Sequence, residues 1–428
     1  MNVFIVAIPL FDNEMKVEAY HLCAHDADTA IIVRDDFRDK NEDFALPGLE
    51  IISQIGIEPL AGDKPLFVDL GKLQFLAGRF GKMVSEENNL IWKLPKDLPY
   101  DDHVVEKLEQ LKANGARLAL SGLPAGGTEN YLVIFASYIF LDFNDPDFDK
   151  QYKDIRKKVA HAKIVVFNIP DMTAYEKFSR DNNSLFSGSF YKNPITSGET
   201  DITPVKVNAL KLLKQINEED FELTEIAKSI ERDPALSISL LRFINSAAVG
   251  LVNQVKSINN AVAILGQKEV RRWATVAISI NLAQDRPGEI TKLSMVRAKF
   301  AENLAVLFYI DVFRHSLFMA GLFSLLDVIL KKPMEDAIKE VAVDKMVYEA
   351  LVDKKGVLYK VMDFIYAYER ADWNKISIIM IQNNMDGVEV NKAFVDALVW
   401  YNQILISIDE AEKEETEADK ADKEEGKT

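Results

Sequence analysis

The sequence predicts two fold classes in tandem, α/β and then all-α: a small TIM-like (β/α) barrel followed by an all-helical domain. Three observations carry this. Short apolar runs alternate with stretches of helical periodicity from Asn2 to about Pro194, as in a mainly parallel sheet. Beyond Pro194 the β-rich runs stop and helix follows helix. The 428 residues exceed the roughly 250–300 at which a single core stops growing, so two domains and a tail are expected. The divisions fall at 1–197 for the barrel, 198–396 for the helical domain and 409–428 for the tail.

Eight runs supply the strands: Val3 to Ala7, Ala30 to Val33, Leu66 to Leu70, Leu90 to Leu94, Arg117 to Leu120, Tyr138 to Leu141, Ile164 to Phe167 and Leu185 to Phe186. Between them Val104, Val105, Leu108 and Leu111 share one helical face, and Ile155 with Val159 marks another. Eight strands alternating with helices suggest a closed barrel, a small one at under 200 residues.

In the second half, Leu223, Ile226, Ala227 and Ile230 follow the i, i+3, i+4, i+7 rule. Asp233 and Pro234 read as N-cap and first residue of the next helix, which turns Leu236, Leu240, Phe243, Ile244 and Ala247 inward. Ser257 is placed to cap a short helix carrying Ile258, Ala261, Val262 and Leu265, with Gly266 as its stop. Further helices are expected over Val296–Phe308, Phe318–Leu330, Met334–Val341, Val343–Val352 and Val357–Arg370.

Composition narrows the function classes. A net charge of −16 opposes attraction to phosphate backbones and anionic lipid, so direct nucleic-acid binding is not expected, and without a run of about 18 uninterrupted apolar residues no membrane insertion is expected. A single cysteine, Cys23, excludes an intramolecular disulfide and fits a reducing compartment. The opening MNVFIVAIPLF has no basic stretch before its apolar run and reads as a buried strand, so the cytoplasm is the expected location. Past Ile408 come ten acidic residues, four lysines and no large apolar side chain. Such a segment buries too little to offset chain entropy, and an acidic disordered tail, helical at most at its root, is expected.

The opening AIPLFDNEMKVEAYHLCAH is followed by LFVDL at 66–70, NLIWKLP at 89–95, GARLALSGL at 115–123, SYIFLDF at 137–143, IVVFNIPD at 164–171 and LFSGSFYKNP at 185–194. Taken in order these resemble the landmarks of an EAL domain, the family of cyclic di-GMP phosphodiesterases. The resemblance implies two divalent cations held at the C-terminal strand ends by carboxylates and an Asn, hard oxygen donors that activate the attacking water. Here the signature Glu falls at His21, the Asn at Asp69 and the next Glu at Lys93. The paired Asp residues fall at Ser121 and Gly122, the catalytic Lys at Phe140, a later Glu at Phe167 and a Gln at Ser187. Asp69 and Asp142 alone keep a carboxylate. Lys93 puts a cation where a dication would sit, and the two Phe residues make the pocket apolar. The expectation is a degenerate EAL barrel that is no phosphodiesterase, with no catalytic, cofactor-binding or metal residue assigned.

His21, Cys23, His25 and Asp26 need separate weighing, because His-x-x-x-His on a helix is a zinc spacing. In the family alignment this pair straddles a strand-to-helix junction and lacks a third ligand, so a structural role is the expectation.

Residues from about 200 to 395 resemble the HDOD family, relatives of metal-dependent HD phosphohydrolases, through LTEIAKSIERDPALSISLLRFINSA at 223–247, VKSINNAVAILGQKEVRRWATVAIS at 255–279 and RAKFAENLA at 297–305. Where HD enzymes carry adjacent His and Asp ligands this chain reads AGLFSLLD at 320–327, placing Ser324 and Leu325 at those positions. The resemblance therefore implies no metal here either. His315 reads as structural or exposed. Arg271, Arg272 and Trp273 are either a ligand-facing patch or a core Trp flanked by solvated arginines; Asn245, Ser246 and Ala247 read as close-packing positions.

An EAL barrel followed by an HDOD domain is similar in layout to bacterial signalling proteins of the YuxH type. That layout implies an inactive signal-transduction regulator or scaffold, in cyclic di-GMP-related or motility signalling, which contacts a signalling protein; a homo-oligomer is a further possible state. Two other readings stay open. One is a cyclic di-GMP receptor that binds without cutting, for which Lys93 and Arg117 are the candidate cations. The other is residual phosphodiesterase activity resting on Asp69 and His21.

Overall fold

The computed structural model describes residues 3–26, 47–77, 89–193, 204–218, 222–231, 233–247, 249–251 and 254–425. The chain forms two compact units: Met1–Asn193 with Tyr366–Asn391, and Pro194–Ile365 with Lys392–Thr428.

The first unit is a closed eight-stranded barrel in sequential order. Its strands are β1 (Val3–Phe11), β2 (Val17–Asp26), β3 (Leu66–Asp69), β4 (Leu90–Leu94), β5 (Arg117–Leu120), β6 (Tyr138–Asp142), β7 (Lys163–Ile169) and β8 (Ser184–Gly188). β1 runs antiparallel to β2 and β8, and every other pair is parallel. The β1–β2 turn is built by Asp12, whose Oδ1 accepts the backbone N–H groups of Glu14 and Lys16 at 2.8 and 2.9 Å. Leu10, Ala19, Phe67, Ile91, Ala119, Phe140, Val165 and Leu185 fill the barrel interior, one from each strand. With a side-chain period of two, the next inward positions toward the C-terminal strand ends include His21, Asp69, Lys93, Ser121, Asp142 and Ser187.

The second strand of the barrel differs from expectation. Ala30–Val33 lies outside the described residues, and the second strand is the Val17–Asp26 run, pairing with Val3–Phe11 from Asp26 opposite Val3. His21 and His25 therefore share one strand and straddle no junction. At about 3.3 Å per residue their Cα atoms stand roughly 13 Å apart, too far to share a zinc ion. Polar His, Cys and His at alternate positions hid this strand from a reading based on apolar runs.

Around the barrel lie α1 (Pro47–Ile55), α2 (Glu58–Ala61), α3 (Lys72–Ala77), α4 (Asp102–Ala113), α5 (Leu132–Phe135), α6 (Phe148–Lys158) and α7 (Met172–Phe178). Asp101 caps α4 by accepting from His103 N, and the helix buries Val104, Leu108 and Leu111, with Val105 only half-buried. α6 buries Phe148 and Ile155 and ends at the buried Val159.

The later helices are α8 (Pro204–Asn217), α9 (Leu223–Glu231), α10 (Pro234–Asn245), α11 (Ile258–Leu282), α12 (Gly288–Leu304), α13 (Arg314–Phe323), α14 (Leu326–Leu330), α15 (Met334–Lys339), α16 (Lys345–Leu351), α17 (Gly356–Glu369), α18 (Trp373–Asn383) and α19 (Gly387–Glu425). Asp233 caps α10 through Leu236 N with Pro234 in the first turn, and Ser257 caps α11 through Asn260 N. Gly266, at φ 73° and ψ 173°, breaks α11 where a stop is expected. Ala247 lies past the end of α10 and is exposed, so it is no part of the buried face. Asn245 ties the end of α10 to the segment before α11, its side chain donating to Val255 O at 2.8 Å and accepting from Val255 N at 2.7 Å. The stretch Asp311–Leu330 is apolar enough by composition to cross a membrane, but two thirds of it is buried as core of the helical unit.

Two boundaries also move. Residues 366–391, assigned from sequence to the helical domain, belong to the barrel unit. Trp373 stacks on Phe4 and on His25, with ring centroids at 5.9 and 5.6 Å. Ile5 N donates to Tyr368 Oη at 3.3 Å, and Lys192 pairs with Glu369 at 3.6 Å. Phe4 lies opposite His25 near the end of the β1–β2 pair and is buried among these rings. The acidic segment from Asp409, expected as a disordered tail, continues α19 to Glu425. Ala, Glu and Lys are strong helix formers, and the preceding helix supplies the nucleus.

Candidate functional site

The barrel mouth gathers His21, Asp69 and Lys93 from three neighbouring strands. His21 sits one layer below Asp69 in the parallel register, opposite Phe67, and Lys93 lies opposite Asp69. Asp69 Oδ2 accepts from His21 Nε2 at 2.8 Å and Oδ1 accepts from Lys93 Nζ at 2.7 Å, with Lys93 Nζ 3.2 Å from His21 Nε2. The carboxylate is therefore held by two bases, one at each oxygen. Cys23, two residues along the same face of β2, places Sγ 3.8 Å from His21 Nδ1.

Aromatic rings enclose this cluster from below. Lys93 Nζ lies 4.8 Å from the Phe140 ring centre, His21 packs at 5.4 Å from the same ring, and Phe167 follows at 6.3 Å from it. Burial alone would push the His21 imidazole down, but the Cys23 sulfur and the hydrogen bond to Asp69 outweigh it and hold it up at about 9. Burial would likewise raise Asp69, yet His21 and Lys93 together hold its carboxyl well below the usual range.

These residues do not fit a pair of divalent cations. Asp69 has both oxygens engaged by bases, Ser121, Phe140, Phe167 and Ser187 bring no carboxylate, and Asp142 Oδ1 accepts from Asn144 N and Asn168 Nδ2. The Lys93 ammonium is a fixed positive charge at the carboxylate where a metal would need room. Among the described residues no three His, Cys, Asp or Glu side chains come together as a metal site. Arg117 opens β5, the end remote from the mouth, so it cannot join Lys93 in holding an anion there.

In the helical unit, α12 and α13 approach so closely that a Cβ on Gly321 would lie 2.5 Å from the Ala298 backbone. Beside this contact the buried Arg297 donates to Ser324 Oγ at 3.0 Å. Asp327, mainly desolvated, is pushed up to about 6 despite the nearby Arg297. The position read as a lost ligand, Ser324, is thus engaged by a guanidinium. A second cluster joins α11 and α12: Arg272 grips Glu302 with two bonds of 2.7 and 2.9 Å, and Lys299 adds a third at 2.9 Å. Arg272 also lies over Phe318 at 4.1 Å.

Residues 202–353 match the family model described as "HDOD domain". The helical unit carries an HDOD domain. The whole chain is similar to the Bacillus subtilis protein YuxH, 25% identical over 421 residues that cover 95% of this chain and 99% of that one. It is also similar to the cyclic di-GMP phosphodiesterase CdgJ of Vibrio cholerae, 24% identical over 332 residues, 74% of this chain and 77% of that one. Among solved structures the EAL-like domain protein YdiV matches with a TM-score of 0.33 at 12% identity, over 44% of this chain and 89% of that one. An EAL domain protein from Listeria monocytogenes gives 0.32 at 14% identity, over 44% and 87%.

Within the HDOD domain, Trp273 is core at 4% exposure, as the structural reading has it, but Arg272 is not solvated: Glu302 and Phe318 hold it. His315 is half-buried and lowered by burial and by Arg272, Lys268 and Arg271. Sequence reasoning passed over Arg297, Lys299, Glu302 and Asp327. Arg297 was detectable in principle, since Arg297, Phe300, Ala301 and Leu304 follow helical spacing and put a charge on the apolar face.

Proposed function

We propose that this chain is a cytoplasmic signal-transduction regulator or scaffold that does not hydrolyse cyclic di-GMP and acts through protein–protein contact. The observation that carries the reading is the Lys93 ammonium seated on Asp69, at the barrel end where a metal-dependent phosphodiesterase keeps its carboxylates. Ser324 on Arg297 in the HDOD domain supports it in the same sense. Similarity to CdgJ along 74% of the chain makes the protein a relative of a cyclic di-GMP enzyme, and the mouth chemistry argues that this member kept the fold and lost the reaction.

The test is incubation of the full chain with cyclic di-GMP and magnesium or manganese, followed by chromatography. The expected result is no linear product above a protein-free control and no calorimetric heat of nucleotide binding. Turnover abolished by Asp69→Ala would overturn the reading, and saturable binding without turnover would replace it with a receptor.

A further inference from the structure

On the outer wall of the barrel, a cleft of about 440 Å³ opens between α6 and α7. Tyr152 and Phe178 line it, packed at 5.1 Å, with the buried Phe148 behind them 5.3 Å from Phe178. Two carboxylates line it, and both are already engaged. Asp181 accepts from Tyr152 Oη at 2.5 Å and Ser184 Oγ at 3.1 Å and pairs with Arg156. Asp149 faces Lys177 at 3.5 Å, whose ammonium lies over the Phe178 ring. Lys153 and Arg180, also in the lining, are exposed and have no ion pair or hydrogen bond among the described residues.

The local charge is opposite to that of the chain. Residues 149–181, both lining acids included, contain eight Lys and Arg against five Asp and Glu, in a protein of net charge −16. A basic island on an acidic body steers an acidic partner to one face and repels it elsewhere. At about 440 Å³ the open cleft has room for one large anchor side chain together with its flanking backbone. Asp149 and Asp181 are neutralised by Lys177 and Arg156, which leaves Lys153 and Arg180 as two separated charges for two spaced carboxylates to meet.

We propose that this cleft docks an acidic peptide segment of a partner protein, which inserts one aromatic side chain between α6 and α7 and sets its carboxylates against Lys153 and Arg180. This deepens the protein-contact reading and rests on it.

The probe is a fluorescein-labelled Glu/Asp peptide with one central Phe, titrated with the full chain by anisotropy. Saturable binding near ~10 μM that weakens with salt is expected. The double variant Lys153→Glu, Arg180→Glu, whose helical content is checked by circular dichroism, weakens it at least about tenfold, and so does replacing the peptide's Phe by Gly. No saturation at ~100 μM protein overturns the proposal. So does indifference to the double variant, equal affinity for the Gly peptide, or tighter binding of a single-stranded oligonucleotide or phosphatidylserine vesicle. Such a failure removes the cleft and leaves the protein-contact reading standing, whereas cyclic di-GMP turnover removes that reading however the peptide behaves.

Discussion

At the barrel mouth one carboxylate serves two bases, and its protonation sets how the cluster answers to pH. Asp69 is depressed, so its contribution to stability is complete above the ordinary carboxylate pKa of about 4 and is lost as pH falls through its lower folded value. His21 is raised to about 9, so its contribution is complete below about 6.5 and is lost as pH rises through 9. Chemical denaturation of wild type and His21→Gln from pH 6 to 9.5 should therefore show a stability gap that closes with rising pH. Lys93→Met should move Asp69 back toward the ordinary range, shifting the acid-unfolding midpoint upward by circular dichroism. Asp327 has the opposite sign, being raised to about 6 by desolvation, so its ionised form disfavours folding at neutral pH. Asp327→Asn should stabilise the chain at pH 7.5 and do so less at pH 5.

Among the helices, two glycines decide geometry for different reasons. Gly266 sits at φ 73° and ψ 173°, a conformation open to glycine alone, and it divides α11. Gly321 has nothing unusual in its backbone but lets α12 and α13 meet at the Ala298 backbone. Gly266→Ala should cost about 2 kcal/mol through backbone strain. Gly321→Ala should cost about 3 kcal/mol through overpacking, and calorimetric melting of both variants checks the order. The Gly266 break follows from turn chemistry and was legible, because Ser257, an apolar stripe and a glycine mark both ends of a helix. The Gly321 contact was not, since close approach depends on which helix lies opposite.

At the scale of the whole chain, the barrel is completed by residues from far along the sequence. Phe4, Tyr368, Trp373 and His25 form one aromatic group at the end of the β1–β2 pair. Trp373→Ala should cost about 3–5 kcal/mol and loosen β1 and β2, read as faster amide exchange in residues 3–26 with little change in α12 and α13. The charge balance is a property of the same scale: only against a body at −16 does the modest positive excess of the stretch 149–181 become a directional feature.

Periodicity and composition by themselves determined the succession of a strand-and-helix barrel and an all-helical domain, because burial of apolar faces leaves a repeat of two or near four in any sequence. The resemblance to EAL landmarks, not periodicity, supplied the expectation that Lys93 and Phe140 stand where that family places a carboxylate and a lysine. Tertiary structure decided what those positions touch, setting Lys93 and His21 on Asp69 and Arg297 on Ser324, because such pairings join residues on different strands or helices. It also decided that residues 366–391 belong to the barrel, and that an engaged pair of acids and two bases without an ion pair among the described residues share an aromatic cleft. Contact between distant segments leaves no period in the chain.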